Sequence, residues 1–170
     1  MRIAGRRISS RMAEVAPHDP TAARTSASRS YLMSRVKGRD TKPEMVVRRL
    51  LHGMGYRFRL QAKELPGRPD IVFRPRRKAI FVHGCFWHRH GCRKTTTPKS
   101  NIAFWEAKFA RNVERDAKTL ADLERSGWDV LVVWECETRD RDGLANRLLD
   151  FMKTAPASRG GRPTTMSRET

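Results

Sequence analysis

KAIFVHGCFWHRHGC, residues 78–92, joins two kinds of sequence. Lys78–His83 is a short β-like run. Residues 81–92 then crowd together three of the five histidines, two of the three cysteines and one of the four tryptophans. A loop so rich in glycine and polar groups has no hydrophobic means of holding its shape, so something else must fix it.

Working outward, Tyr56–Leu60 and Asp70–Phe73 are further short β-like runs, set apart by Leu-Pro-Gly-Arg-Pro and Arg-Pro-Arg-Arg turn signals. Trp128–Trp134 (WDVLVVW) is a continuous apolar run, the pattern of a strand buried on both faces. Thr41-Lys42-Pro43-Glu44 opens a helix with a capping box, followed by Met45, Val46, Leu50 and Met54 at helical spacing and by Gly53 and Gly55. Asn101 is expected to cap a long helix with the stripe Ile102, Trp105, Phe109, Val113, Leu120 and Leu123, closed by Gly127. A last helix is expected over about 142–153. The order α-β-β-β-α-β-α predicts an α/β domain, a mixed sheet with helices packed on it.

The 170 residues leave room for one domain. Lys and Arg outnumber Asp and Glu by 36 to 18, a net charge of +18. Residues 1–30 carry six arginines against two acids, and residues 154–170 three against one, so +12 stays on residues 31–153. A folded part this basic is the footprint of a phosphate-tracking surface; a solvated, aggregation-resistant face would need only balanced charge. Residues 1–28 and 154–170 lack the apolar area to offset ordering entropy and are expected to be disordered tails. No apolar stretch reaches the roughly 18–20 residues of a membrane span, and MRIAGRRISSRM has no apolar leader core, so a cytoplasmic protein is expected.

Cys85, His90 and Cys92, with Cys136 after the apolar run, have the composition of a closed Cys₃His zinc site. Buried thiols, or a Cys85–Cys92 disulfide, are the alternatives, because the spacing is not the common Cys-x-x-Cys. Phe86 and Trp87 either stack on bases from an exposed position or close over the ligand loop as a lid. His83 and His88 flank the strand end. Asp70 follows Pro69 at a strand mouth, where a carboxylate can hold Mg²⁺ against a phosphate or simply sit in a turn.

LPGRPDIVF, FVHGCFWH, FWEAKFARNVERD and GWDVLVVWEC, in this order and spacing, resemble the very-short-patch-repair (Vsr) DNA mismatch endonucleases over about residues 28–150. The resemblance implies a restriction-endonuclease-like three-layer core, with a central mixed β-sheet flanked by helices and a structural zinc site. It implies an enzyme that nicks one strand of double-stranded DNA beside the T of a T·G mismatch, where 5-methylcytosine has been deaminated. Its domain would span residues 29–153, working as a bacterial, nucleoid-associated monomer beside a cytosine-5 DNA methyltransferase and a repair polymerase. Carried over by position, Asp70 and the Val82 backbone carbonyl would bind Mg²⁺, and His83, His88 and Glu44 would be active-site residues. Cys85, His90, Cys92 and Cys136 would hold Zn²⁺. Phe86, Trp87 and Trp105 would enter the base stack from the major groove, opposed by Met33 from the minor groove. The resemblance thus takes Trp105 off the buried stripe, and Glu44 keeps its capping role as an alternative. Arg89 and Gly91 replace histidines found in the family loop, and Arg89 is read as an added phosphate-seeking charge. The Glu-x-Lys half of the restriction-enzyme motif is absent after Asp70, which counts against a double-strand cutter. The remaining rival is a non-catalytic zinc-containing DNA-binding protein.

Overall fold

The computed structural model describes residues 38–154. The expectations for residues 1–28, for Met33 and for the chain beyond Thr154 lie outside these residues. The elements are α1 (Lys42–Gly53), β1 (Arg59–Leu60), β2 (Ile71–Phe73), β3 (Lys78–His83), α2 (Ile102–Arg125), β4 (Asp129–Trp134) and α3 (Arg141–Lys153). They follow the order expected from the sequence. Among the described residues, no helix is long and apolar enough to cross a membrane.

The sheet order is β1-β2-β3-β4, with β1-β2 and β2-β3 antiparallel and β3-β4 parallel. The parallel pair needs a crossover, and α2 is that crossover. Alternation along each strand divides the core between two faces. Ile71, Phe73, Ile80 and Val133 meet Val47 and Leu51 of α1 and Leu144, Leu148 and Met152 of α3. Val72, Ala79 and Phe81 face the other way, onto Ala62, Trp128 and Leu123 of α2. Three layers result, each buried aliphatic side chain contributing about 1.5–3 kcal/mol.

Three local expectations change. WDVLVVW does face both cores, with Leu131 and Val133 on one side and Trp128, Val130 and Val132 on the other. Yet only Val133 is fully buried within β4, because β4 lies at the sheet's edge; the interior strands are β2 and β3. Asn101 adopts the left-handed conformation (φ 56°) and makes no side-chain cap to α2. Of the expected α2 stripe only Phe109 and Leu123 are buried, while Ile102 and Val113 are about half exposed. The first half of α2 stands clear of the sheet and packs on the loop after β3 instead.

On α1 the buried face holds Glu44, Val47, Arg48 and Leu51 rather than the purely apolar set expected. Thr41 and Glu44 do form the capping box. At the start of β3, Lys78 is buried: its ammonium pairs with Asp129, bonds Thr154 Oγ1 at 2.7 Å and lies 4.4 Å from the Phe151 ring centre.

Candidate active site and metal-ligand cluster

The LPGRPD loop delivers Asp70 to the opposite end of β3. Gly67 turns with φ +67°, and a Cβ there would sit 2.3 Å from Thr119 Cγ2 of α2, so only glycine fits both the turn and the approach. Asp70 Oδ2 then accepts the Val82 backbone N–H at 2.7 Å. This bond places the carboxylate beside the Val82 peptide group, on the last turn of the pleat before the ligand loop. Burial pushes the Asp70 carboxyl up to about 6; the Val82 N–H opposes that rise, the Glu44 charge adds to it, and Arg48 opposes it.

Glu44 reaches the same region from α1, and its carboxylate is heavily engaged. One oxygen accepts from Thr41 Oγ1 at 2.8 Å, and the other accepts from the Asp40 N–H at 3.0 Å and from Arg48 Nη2 at 2.8 Å. Arg48 also donates to Asp40 Oδ1 at 2.5 Å. Glu44 is therefore a cap and a buried charge near Asp70 at once, held in place by a buried guanidinium. That pairing was not expected from hydropathy, since both partners are charged and lie on the core face of α1.

His83 ends β3 and His88 follows in the loop, and their rings stack at 3.9 Å, 10° from parallel. His88 Nδ1 is hydrogen-bonded to Asp116 Oδ2 of α2. With Nδ1 tied to a carboxylate, Nε2 is the nitrogen left to exchange a proton with a substrate or water. His83 is buried, and burial first and the neighbouring His88 second lower its pKa to about 4. The stack therefore places a neutral ring against one hydrogen-bonded to a carboxylate. Trp134 of β4 packs edge-on to His83 and stacks on His90, so it stands between this pair and the cysteine cluster.

The ligand atoms of Cys85, His90, Cys92 and Cys136 all lie within 4.8 Å of one another. Cys136 Sγ is 3.3 Å from His90 Nδ1, and Cys85 Sγ is 3.9 Å from it. Two ligands on a tetrahedral zinc are about 3.6 Å apart, given legs of about 2.3 Å to sulfur and 2.0–2.1 Å to nitrogen. The donor set and its spacing fit such an ion. No disulfide joins Cys85 to Cys92, since all three cysteines are free. Burial pushes the Cys85 thiol up to about 12, while the Lys94 backbone N–H and then His90 draw Cys92 down to about 6. One buried thiol and one ready thiolate on one site are the condition that a dication would resolve.

Phe86 and Trp87 meet edge to face, ring centres 4.9 Å apart. They pack onto α2, Phe86 at 5.8 Å from Trp105 and 5.2 Å from Phe109, Trp87 at 6.1 Å from Trp105. Phe86, Trp87 and Trp105 are all half-buried, so Trp105 belongs to this surface cluster and not to the core. Lys108 Nζ lies 5.1 Å from the Trp87 ring centre and 5.3 Å from that of Trp105. Asn112 Nδ2 donates to the Trp87 carbonyl at 3.1 Å and so ties the loop to the helix. Arg89 donates to Thr96 O and Thr97 Oγ1 and lies 4.6 Å from the Phe109 ring centre.

Comparison with known proteins was decisive. Residues 21–94 match the family model described as DNA mismatch endonuclease Vsr. The type II nicking enzyme V.XorIIP of Xanthomonas oryzae pv. oryzae is 52% identical over 124 residues, 73% of this chain and 91% of that protein. The DNA mismatch endonuclease Vsr of Escherichia coli K12 is 45% identical over 123 residues, 72% of this chain and 79% of that protein. The chain belongs to the Vsr DNA mismatch endonuclease family.

Within this Vsr-family chain the expected site residues fall into four groups. Asp70, Val82 and Glu44 form the first, His83 and His88 the second, and Cys85, His90, Cys92 and Cys136 the third. Phe86, Trp87 and Trp105 make a fourth on the flank of α2. Asp116, Arg48 and Asn112 complete the arrangement without having been singled out beforehand. Asp116 and Asn112 both lie in RNVERD, a segment read as specific to the family, and that was the available signal. Arg48 gave none.

Proposed function

We propose that this chain is a DNA endonuclease that nicks one strand beside the T of a T·G mismatch and so starts very-short-patch repair. One observation carries the reading: a half-buried carboxylate, Asp70, is hydrogen-bonded to the Val82 N–H at the strand end that also presents the stacked His83–His88 pair. The Vsr family match and the nicking-enzyme relatives support the same chemistry.

Asp70 and the Val82 carbonyl would hold Mg²⁺, whose fit is favoured by a half-buried carboxylate beside the like charge of Glu44, with a pKa raised by burial even though the Val82 N–H and Arg48 oppose the rise. Such an ion polarises a phosphate and neutralises charge developing on it. His88 Nε2 takes the proton of the attacking water while Asp116 on Nδ1 stabilises the imidazolium formed. Water adds at phosphorus, the bond to the 3′ oxygen breaks, and 3′-hydroxyl and 5′-phosphate ends result. His83, kept neutral by burial, hydrogen-bonds the phosphate or its attacking water without adding charge. Phe86, Trp87 and Trp105 enter the stack, helped by the weaker stacking of a wobble pair. Met33 would oppose them from the minor groove.

Cys85, His90, Cys92 and Cys136 would hold a structural Zn²⁺ that fixes the loop carrying Phe86, Trp87 and His88 in a restriction-endonuclease-like core. The protein would act as a monomer in the bacterial cytoplasm, at sites made by a cytosine-5 DNA methyltransferase, and pass the nick to a repair polymerase.

The test is nicking of a T·G duplex and its matched counterpart, with Mg²⁺ and with EDTA, alongside metal analysis. Single-strand cleavage of the T·G duplex alone, dependent on Mg²⁺ and accompanied by one zinc per chain, is expected. Binding without cleavage would turn the reading into a zinc-containing DNA-binding protein, and cutting of both strands of matched DNA into a restriction enzyme.

A further inference from the structure

The basic residues along α2 are not equivalent. Lys118 and Arg125 are tied to Asp122, at 2.7 Å for Lys118. Arg111 is exposed, and among the described residues no hydrogen bond or ion pair engages it. Arg115 has a single long contact, Nη2 to Asp116 Oδ1 at 3.3 Å, and its side chain is 62% exposed. Neighbouring positions on a helix do not face each other, and an exposed pair of this kind is worth little. Asp116 is already oriented by His88 through its other oxygen. Arg115 therefore keeps nearly all of its five donors beside the stacked histidines and has no structural employment there.

Arg111 and Arg115 are four residues apart, about 6 Å along the helix. They follow Lys108, whose ammonium lies over Trp87 and Trp105, so the row runs from the aromatic cluster to the histidine pair. Successive phosphates of one strand advance by about 3.4 Å along the duplex axis, so 6 Å spans fewer than two nucleotide steps. The guanidinium fork matches the oxygens of a phosphate bidentately.

We propose that Arg111 and Arg115 clamp neighbouring phosphates of the strand that is cut, with Arg115 on the phosphate presented to His88. This rests on the nicking function proposed above and adds to it the residues that hold the cut strand in register with the aromatic wedge.

The experiment compares Arg111→Ala, Arg115→Ala, Arg115→Lys and, as a control, Arg125→Ala in the full chain. Equilibrium binding is measured on matched and T·G duplexes across a salt series, and single-turnover nicking at saturating enzyme. Arg111→Ala and Arg115→Ala should each lower the salt slope of binding by about one and weaken both duplexes by the same factor. Arg115→Ala should also slow saturated nicking tenfold or more. Arg115→Lys should restore the slope but only part of the rate, because the fork is lost. Arg125→Ala should change neither. An unchanged slope in Arg115→Ala overturns the proposal, whatever the rate does, since the guanidinium would then act only on Asp116. A reduced slope with undiminished saturated nicking removes Arg115 from the phosphate that is cut. Because the slope is read on binding, it reports phosphate contact even if the wild-type chain fails to nick and the parent reading falls.

Discussion

The two ends of β3 bury charge in opposite ways. At the start of the strand, Lys78 has its carboxylate in Asp129, a hydroxyl in Thr154 and a ring face in Phe151. Nothing is left for a ligand to satisfy. At the other end of the strand, Asp70 has one N–H from Val82, a like charge in Glu44, and a raised pKa. The nearest guanidinium, Arg48, spends its hydrogen bonds on Glu44 and Asp40. One end is a closed ion pair that serves the fold; the other is negative charge kept short of a cation. A protein carrying +18 overall does not lack cationic side chains to put there, and the shortage is in keeping with the divalent ion proposed above.

The largest effect should come from the open end. Asp70→Ala removes the side chain that would hold the divalent ion, an interaction of several kcal/mol in the transition state. Nicking of a T·G duplex should fall by about a thousandfold or more, while binding of the same duplex is kept. If binding and the folding transition vanish together, Asp70 is a turn residue and the contrast between the two ends fails.

At the closed end the expected damage is to stability alone. Lys78→Ala leaves Asp129 without its partner and opens a hole beside Phe151, at a cost of about 2–4 kcal/mol. Lys78→Met keeps the volume against the ring and should cost less. Chemical denaturation checks both, and nicking at low temperature should be unchanged in both variants. A Lys78 variant that folds normally yet nicks slowly would mean that the two ends communicate.

Asp70→Asn separates the two roles of one residue. Its folded pKa of about 6 lies above the ordinary 3.8, so the folded state favours the protonated form. The resulting penalty is absent below about pH 4, grows between the two values, and is complete above pH 6. Asparagine keeps an oxygen for the Val82 N–H and should stabilise the protein by about 1–3 kcal/mol at pH 7.5, with no gain at pH 4. Melting curves at the two pH values test this, and equal melting shifts at both would deny the buried charge.

How much of this was legible beforehand depended on whether hydropathy could carry it. The strands and helices were readable because β2, β3 and β4 alternate between two cores and α1 and α3 carry apolar faces. The first half of α2 was misread, since Ile102, Trp105 and Val113 keep helical spacing without facing the sheet. Apolar spacing marks a face but does not say whether core, loop or ligand covers it. Asp70, His83, His88 and the cysteines stood out by residue type and spacing, and motif resemblance supplied roles that the geometry alone does not assign. Asp116 stayed hidden because a carboxylate on a charged helix reads as solvated until His88, 28 residues earlier, is brought to it by the β3–α2 crossover. Arg48 stayed hidden because a buried ion pair on a core face contradicts the pattern used to find that face.

The smallest expected effect discriminates best between the groups at the open end. If Asp70 must shed a proton to take up Mg²⁺, nicking at limiting Mg²⁺ should fall about tenfold per pH unit below about pH 6. Proton and metal ion then compete for one carboxylate, so once Mg²⁺ is well above its dissociation constant each further tenfold should move the acid midpoint down by about one unit. Protonation of His88 would also cut the rate at low pH, because its Nε2 could no longer accept a proton. That limb would not move with Mg²⁺, since the ion does not share His88's lone pair. Rate profiles at two Mg²⁺ concentrations therefore decide which group sets the acid limb. A midpoint that stays fixed assigns it to the His88–Asp116 pair and leaves the raised Asp70 pKa a property of the metal-free protein alone.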